Sequence, residues 1–267
     1  MNSFDDIYSV SRRKALVNED EIIRAEMNLE GELPVGYGHF LMEYGIGTFS
    51  GYMRLLRPFQ IIEAKKENTE LLMHDFWDRG ENIPSLELRS KMIVFADSTY
   101  GDSFAYLPAQ PNWFFIFPRH NDQIFQVGSC FFDLVKWLLC SGDMVTSFKY
   151  QYFDPYNEKI SIRFKIPQPY PELTHMKDIF SELGQHDYIY QTDEYLLYFI
   201  QDAGLLFHYN KSRYSDFDNY MQLFVSFDRE SNILSSVYQV FQGMQLRAIE
   251  TKGIDLDDIK IYELKEC

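Results

Sequence analysis

Residues 33–56 read LPVGYGHFLMEYGIGTFSGYMRLL, and their spacing decides the first part of the fold. Apolar side chains recur there at i, i+3, i+4 and i+7, which is one face of a helix: Tyr37, Phe40, Leu41 and Tyr44. Pro34 suits the first turn of that helix. Gly45 suits the left-handed conformation that commonly ends a helix. The stretch therefore predicts a helix that stops at Gly45 and leads into a strand.

The glycines of this stretch come close to the spacing of a dinucleotide-binding turn, in Gly45-Ile46-Gly47-Thr48-Phe49-Ser50-Gly51. The fingerprint G-x-G-x-x-G needs glycine where Ser50 stands, and it leads from a strand into the N-terminus of a helix. Here the glycines follow the C-terminal end of a helix, which carries partial negative charge and disfavours phosphate. We interpret Gly45 as the helix terminator and Gly47 and Gly51 as turn residues.

The segments around this stretch predict helices followed by an antiparallel sheet. Asn18 and Glu21 form a capping box that opens a helix before Leu33. A helical pattern covers 58–77, and strands are predicted at 51–57, 92–96 and 104–107. A hairpin of 113–117 and 123–127 follows, and Ser129 is expected to cap a closing helix that ends near Gly142. This order is an α+β fold with an antiparallel sheet flanked by helices, assigned to a first domain of residues 1–142.

Residues 143–267 predict a second, β-rich α+β domain. Strands 148–153 and 160–166 are expected to flank a turn at 154–157, and a helix over 173–183 is closed by Gly184. Further short strands are predicted at about 187–191, 194–200, 205–209, 220–227 and 233–240.

The chain of 267 residues is acidic, with 40 acidic and 25 basic residues and a formal charge of −15. Both halves share the excess: 20 acidic against 13 basic in residues 1–140, and 20 against 12 in the remainder. Such a charge repels nucleic acid and anionic membranes and speeds encounter with a basic protein. Ordinary solubility charge is the alternative interpretation.

The cysteines and the apolar windows indicate a protein of a reducing compartment. The chain has three cysteines without a C-x-x-C pair, so a disulfide framework is not predicted. The N-terminus lacks a basic segment followed by an apolar run. The window from Tyr195 to Tyr209 is interrupted by Gln201 and Asp202, and it falls short of the roughly 20 residues of a membrane span. We expect a cytoplasmic protein without membrane contact.

No residue pattern predicts a catalytic, metal or cofactor site. The histidines show neither H-E-x-x-H nor H-x-H spacing: His39, His74, His120, His175, His186 and His208. The stretch from Asp97 to Ser103 follows a predicted strand, and Asp97 and Asp102 have the chemistry of an acid–base pair. The same residues are common in turns, and a loop of this kind also suits protein contact.

The first domain resembles the SUKH superfamily over residues 17–141. The resemblance rests on an ordered set of residues: Glu26, Leu29, Leu33-Pro34, Tyr37, Phe40-Leu41, Tyr44, Gly45, Gly47, Val94-Phe95-Ala96, Gly101-Asp102, Ser129 and Phe132. Six of them are expected to be structural family-motif positions: Leu33, Pro34, Tyr37, Phe40, Gly45 and Gly47. The superfamily contains a fungal glucan-synthesis regulator and many bacterial immunity proteins.

The resemblance implies an α+β fold without catalytic residues or cofactors. It also implies an immunity protein that binds and blocks a toxin delivered between neighbouring cells, often a nuclease. Because a nuclease that binds phosphate groups is commonly basic, an acidic immunity protein suits that role. Two alternatives stay open: a regulatory scaffold for cell-wall or signalling enzymes, and an enzyme whose site lies between the two domains.

The residues predicted to contact the partner lie at the ends of predicted elements. They are Glu43, Asp97, Tyr100 and Asp102 in the first domain, and Asp193, Glu194 and Asp202 in the second. The expected partner is a cognate, basic protein toxin, with no direct contact to nucleic acid. The oligomeric state is left open.

Overall fold

The chain folds into two compact units. The computed structural model describes residues 3–79, 83–144, 151–156, 159–166, 172–193, 195–210, 221–231, 233–243 and 247–252. The first unit consists of Met1–Tyr8 with Lys14–Tyr156, and the second of Ser9–Arg13 with Asn157–Cys267. Both combine helices with antiparallel strand pairs, so the predicted α+β fold class is confirmed.

The first unit carries an eight-stranded sheet. Its strands are β1 (Tyr8–Ser9), β2 (Gly47–Phe49), β3 (Met53–Leu55), β4 (Ile93–Ser98), β5 (Ser103–Leu107), β6 (Gln110–Phe117), β7 (Phe125–Val127) and β8 (Tyr152–Pro155). They follow the order β1-β8-β2-β3-β4-β5-β6-β7. The helices are α1 (Glu19–Leu29), α2 (Tyr37–Glu43), α3 (Pro58–Glu63), α4 (Lys65–Leu72), α5 (Leu86–Arg89) and α6 (Phe131–Cys140). Short 3-10 turns cover Phe4–Asp6 and Asp75–Arg79.

Helix α1 begins as the sequence predicts. Asn18 Oδ1 accepts a hydrogen bond of 2.9 Å from the backbone N–H of Glu21. Three acidic residues in the first turn complement the positive end of the helix dipole. Ile22, Ala25 and Leu29 are buried on one face. Local capping and an apolar stripe therefore account for this helix without help from distant residues.

Helix α2 starts later than predicted, because Gly36 rather than Pro34 precedes its first turn with a φ of 83°. Gly45 ends the segment with a φ of 83°, as predicted. A Cβ at Gly47 would lie 2.4 Å from the carbonyl oxygen of Asp154, so only glycine lets β2 and β8 approach at this point. The glycines of this stretch are turn and contact residues.

Several predicted elements of the first unit differ in detail. The strand predicted at 51–57 is present as the shorter β3, which forms a hairpin with β2, and the helix predicted at 58–77 is divided into α3, α4 and a 3-10 turn. The predicted hairpin of 113–117 and 123–127 is present as β6 and β7. Cys130 rather than Ser129 caps α6, while the Ser129 hydroxyl donates a hydrogen bond of 2.8 Å to Asp133.

Both faces of the first sheet are covered. Alternate side chains of β4, β5 and β6 join the core that contains residues of α1, α2 and α6: Ile93, Phe95, Phe104, Tyr106, Phe114 and Ile116. The intervening side chains and the residue before β4 pack with Leu72 and Trp77 on the opposite face: Met92, Val94, Ala105, Leu107, Phe115 and Phe117. Because side chains alternate across a strand, a sheet buried on both faces reads as continuous apolar runs.

The second unit is a six-stranded sheet with two helices. Its strands are β9 (Lys159–Ile166), β10 (Tyr188–Gln191), β11 (Tyr195–Ile200), β12 (Leu205–Asn210), β13 (Met221–Asp228) and β14 (Arg247–Lys252), in the order β10-β11-β12-β13-β9-β14. All neighbours are antiparallel. The helices are α7 (Leu173–Ser181) and α8 (Leu234–Gly243).

The prediction of a strand at 233–240 is wrong, because this segment belongs to helix α8. Ile233, Val237 and Val240 stand at i, i+4 and i+7 and pack on the core of the second unit. That spacing is helical, and it outweighs the strand preference of valine and tyrosine in this segment.

The division of the chain also differs from the predicted boundary at residue 142. Strand β8 pairs with β2 in the first sheet, so it does not form the predicted hairpin with β9. Residues 9–13 belong to the second unit, where the Ser11 hydroxyl donates a hydrogen bond of 2.6 Å to Asp228. Pairing between residues far apart in sequence decides both assignments.

None of the described helices has the length and apolar composition needed to cross a membrane.

Candidate functional site

Three connections meet at one end of the first sheet. The β4–β5 turn and the β6–β7 loop lie at the same end of the strands, since Ser103, the first residue of β5, pairs with Phe117, the last residue of β6. The 3-10 turn Asp75–Arg79 lies beside the β6–β7 loop, because both contribute to one groove. We call these three connections the loop end.

Asp102 holds the β4–β5 turn in place. Its side chain is buried, with 5% of the residue exposed. Its carboxylate accepts hydrogen bonds from the hydroxyls of Tyr52 and Ser98, the latter at 2.5 Å, and from the backbone N–H of Arg119 at 2.8 Å. Burial, and then the hydrogen bond and charge of Asp102, raise the pKa of Tyr52, so this phenol stays a protonated donor.

Trp77 and Arg89 hold the third connection. The Trp77 indole N–H donates a hydrogen bond of 2.8 Å to the carbonyl of Pro118. The Arg89 side chain is 2% exposed and pairs with Asp78. Its guanidinium also donates to backbone carbonyls at 3.2–3.3 Å: those of Leu72, His74 and Pro84. A buried guanidinium with several acceptors fixes the backbone around it.

Two clefts open at the loop end. A cavity of about 710 Å³, which we call the His74 groove, is lined by His74, Asp75, Phe76, Asp78, His120, Asn121 and Asp122. A cavity of about 240 Å³, which we call the Tyr100 cleft, is lined by Tyr52, Tyr100, Asp102, His120, Asn121 and Asp143, with Pro118 and Met144. His120 and Asn121 belong to both linings, so the two clefts adjoin.

Two large aromatic side chains are exposed on this surface. Tyr100 is 54% exposed and Phe76 is 40% exposed. The Tyr100 ring lies 5.8 Å from that of Tyr52 at an angle of 40°. The backbone N–H of Tyr100 donates a hydrogen bond of 3.1 Å to Ser98 Oγ, which is itself bound to Asp102. The buried network therefore supports the position of an exposed ring.

The structure brings together only part of the predicted contact set. Tyr100 and Asp102 share the Tyr100 cleft, but Asp102 is buried and occupied by internal hydrogen bonds, so it supports the surface instead of facing a partner. Asp97 lies on β4 and forms a bidentate pair with Arg54, with distances of 2.7 and 2.9 Å. Glu43 ends α2 and lies 3.3 Å from His39 Nε2.

In the second unit, Asp193 and Asp202 are exposed, and Asp202 pairs with Arg12 at 2.9 Å. Glu194 lies outside the described residues.

All six residues predicted as family-motif positions are buried in the first unit: Leu33, Pro34, Tyr37, Phe40, Gly45 and Gly47. The Tyr37 hydroxyl donates to the carbonyls of Leu56 and Phe95 at 2.7 and 3.2 Å, and burial raises the pKa of this phenol. Tyr37 thus joins α2 to the β3–α3 connection and to β4.

Sequence reasoning missed Tyr52, Phe76, Arg89 and His120. Arg89 carries a partial signal, because it ends the short helix α5, which a Ser85 cap opens and in which Leu86 and Leu88 alternate with charged residues. The other three show no sequence signal, since their roles depend on which loops become neighbours. Across the described part of the chain, no group of three or more His, Cys, Asp or Glu residues is arranged to hold a metal ion.

The first unit is thus an α+β domain whose loops at one end of the sheet are held in place by buried hydrogen bonds. Residues 19–127 match the family model SUKH_6, described as SMI1-KNR4 cell-wall. The predicted resemblance to the SUKH superfamily is therefore confirmed over this segment. The match runs from α1 to β7 and includes most of the lining of the Tyr100 cleft. Neither the curated proteins nor the solved structures gave a match.

Proposed function

We propose that this protein works by binding another protein, as an immunity protein that neutralises a cognate toxin. The observation that carries the proposal is the loop end, where buried polar contacts support exposed Tyr100 and Phe76 beside open clefts. The SUKH match supports the same role, because the superfamily includes bacterial immunity proteins.

Prior ordering of the loops favours tight binding. Association costs free energy for every side chain and loop that it immobilises. At the loop end, Asp102 and Trp77 already join the connections to one another, and Arg89 joins the 3-10 turn to α5. Exposed aromatic residues on ordered backbones are typical anchors of protein interfaces. The surface thus has both the anchors and the order that a high-affinity interface uses.

Charge favours a basic partner. Asp75, Asp122 and Asp143 contribute carboxylates to the rims of the two clefts, and Arg119 is an exposed cation nearby. With a charge of −15 on the whole chain, long-range attraction speeds encounter with a basic protein. A basic nuclease toxin is the proposed partner class, and the cytoplasm is the proposed place of encounter.

The contact surface that we propose centres on Tyr100 and retains Asp97 and Glu43 as peripheral candidates. The exposed carboxylates Asp193 and Asp202 are a separate candidate surface on the second unit, together with Glu194. Charge reversal at a true contact slows association and changes its salt dependence.

Co-expression tests the proposal directly. The toxin encoded beside this gene is expressed with and without the full chain, and growth is followed together with the toxin's activity in a purified mixture. The expected result is restored growth, a stoichiometric complex and loss of toxin activity. A neighbouring toxin that stays active in excess purified protein contradicts the proposal.

A regulatory scaffold is the second candidate, favoured by the cell-wall description of the matched family. It predicts a phenotype when the gene is deleted in cells grown without competitors, and a purified complex with a cell-wall or signalling enzyme. An immunity protein predicts no phenotype under those conditions unless its own toxin is expressed.

A further inference from the structure

We infer that the Tyr100 cleft receives one arginine side chain from the partner protein. The inference rests on the proposed function and deepens it, since it names the group that the partner inserts.

The size of the Tyr100 cleft matches a single side chain. Its volume of about 240 Å³ lies below the roughly 300–1,000 Å³ that is usual for small-molecule sites. The walls include two tyrosine rings with centroids 5.8 Å apart, of which Tyr52 is buried and Tyr100 is 54% exposed. The exposed ring forms the rim and the buried ring lies deeper, so a side chain entering from the partner passes Tyr100 first.

The chemistry of the lining favours a cation. Aromatic faces attract guanidinium and ammonium groups through the ring quadrupole. Asp143 supplies a carboxylate at the rim, and Asn121 also lines the cleft, with its Oδ1 accepting a hydrogen bond of 2.9 Å from the backbone N–H of Gln123. The buried carboxylate of Asp102 adds negative charge at the base, although its hydrogen bonds are internal. Among the described residues that line this cleft, none is lysine or arginine.

Arginine suits this lining better than lysine. A planar guanidinium stacks on an aromatic ring while its N–H groups reach acceptors in the plane. A lysine ammonium is a compact and strongly hydrated charge, and it loses more hydration on entering a narrow cleft. Nearby Arg119 is exposed, and its side chain lies over Gly101, outside the lining of the cleft. It therefore leaves the cleft open to a cation from the partner.

Small probes test the cleft without the partner. The full ¹⁵N-labelled chain is titrated with Nα-acetyl-L-arginine amide, and with the citrulline derivative, which has nearly the same shape and no charge. The expected result is saturable shifts of the Tyr100, His120 and Asn121 amides with the arginine probe, at least tenfold weaker affinity for citrulline, and intermediate affinity for the lysine derivative.

Variants of the full chain locate the binding. Tyr100→Ala and, separately, Asp143→Asn are each expected to weaken the arginine probe at least fivefold. Trp113→Ala is the matched control, because Trp113 is 40% exposed and lies outside the cleft lining; it is expected to leave the affinity unchanged. Asp143 is exposed, so its variant keeps the test decisive if Tyr100→Ala disturbs the turn.

Three results overturn the inference: citrulline binding as tightly as arginine, shifts confined to other parts of the chain, or unchanged affinity in both cleft variants. These outcomes are separable from failure of the proposed function. If the wild type and both variants neutralise the toxin equally, the immunity role is retained, and the binding of a partner arginine in the Tyr100 cleft is contradicted. If the arginine probe binds specifically but no toxin is neutralised, the arginine site in the Tyr100 cleft stands and the immunity role is contradicted.

Discussion

The backbone N–H of Arg119 donates a hydrogen bond of 2.8 Å to Oδ1 of Asp102, across 17 positions of sequence. This contact joins the β4–β5 turn to the β6–β7 loop. The same carboxylate accepts from Tyr52 and Ser98, so one buried side chain supports both loops that flank the Tyr100 cleft. The shape of the candidate site therefore depends on a buried residue whose hydrogen bonds are internal.

Replacing Asp102 with asparagine is expected to loosen the loop end. The side chain keeps its shape, but one acceptor oxygen becomes an N–H₂ group that faces hydrogen-bond donors. Because hydrogen bonds to a buried charged group are strong, the free energy of unfolding should fall by about 2 kcal/mol. Urea denaturation measures this change. Asp75→Asn is the control, since the Asp75 side chain is 88% exposed, and its stability should stay within about 0.5 kcal/mol of wild type.

Replacing Arg89 with methionine should destabilise the first unit far more than the same change at Arg54. Arg89 is buried and satisfies Asp78 and backbone carbonyls that would lose their donor, so the expected loss is about 3 kcal/mol. The Arg54 pair with Asp97 is partly exposed, with 45% and 34% of the side chains accessible, so its loss should cost less than about 1 kcal/mol. Equal losses in denaturation experiments would show that Arg89 does not organise this region.

Two buried tyrosines should respond in opposite directions to replacement by phenylalanine. Tyr106 is fully buried, and its hydroxyl has no hydrogen-bond partner among the described residues, so Tyr106→Phe should raise the unfolding free energy by about 1 kcal/mol. Tyr37 is equally buried, but its hydroxyl donates to two carbonyls. Tyr37→Phe leaves those carbonyls without their donor and should lower stability by about 1–2 kcal/mol. If Tyr106→Phe lowers the free energy of unfolding, the Tyr106 hydroxyl forms a stabilising hydrogen bond and the prediction is wrong.

Acid should destabilise the second unit through His208. Burial lowers the pKa of His208, which lies on β12 in register with Leu197. Below the ordinary histidine pKa of about 6.5, the unfolded chain takes up a proton that the folded chain resists. The unfolded state then binds more protons, so stability falls as pH decreases from about 7, by at most about 1.4 kcal/mol per pH unit.

The variant His208→Gln measures that contribution. Denaturation of the second unit is followed between pH 7 and 5, and the variant should show a smaller loss of stability on acidification than the wild type. His175→Gln is the matched control, because His175 is exposed on α7 of the same unit. Identical pH profiles for the wild type and His208→Gln would remove His208 as the cause.

Much of the first unit could be predicted from local sequence. The four apolar positions between Tyr37 and Tyr44 placed α2, and the Asn18–Glu21 capping box placed the start of α1. The wrong prediction at α8 has a clear cause. Ile233, Val237 and Val240 have helical spacing, whereas the amino-acid composition of the segment favours a strand. Period describes which side chains share a face, whereas composition gives only a preference that packing overrides.

The candidate site could be predicted only in part. Tyr100 and Asp102 were identified as a turn at the end of a buried strand, but their roles differ: one is exposed and the other is buried. Tyr52 lies 50 positions from Asp102 and Trp77 lies 41 positions from Pro118, so no local pattern connects them. Such contacts exist only after the strands have paired.

The sequence by itself determined the α+β class, the SUKH resemblance, the acidic charge and the glycines at Gly45 and Gly47, because each depends on local spacing, composition or backbone freedom. Only the tertiary structure decided that β8 completes the first sheet, that Asp102 supports the loops and that the Tyr100 cleft exists. The physical reason is that strand register brings distant backbone and side-chain groups within hydrogen-bond distance, and this register is a property of the whole packed unit.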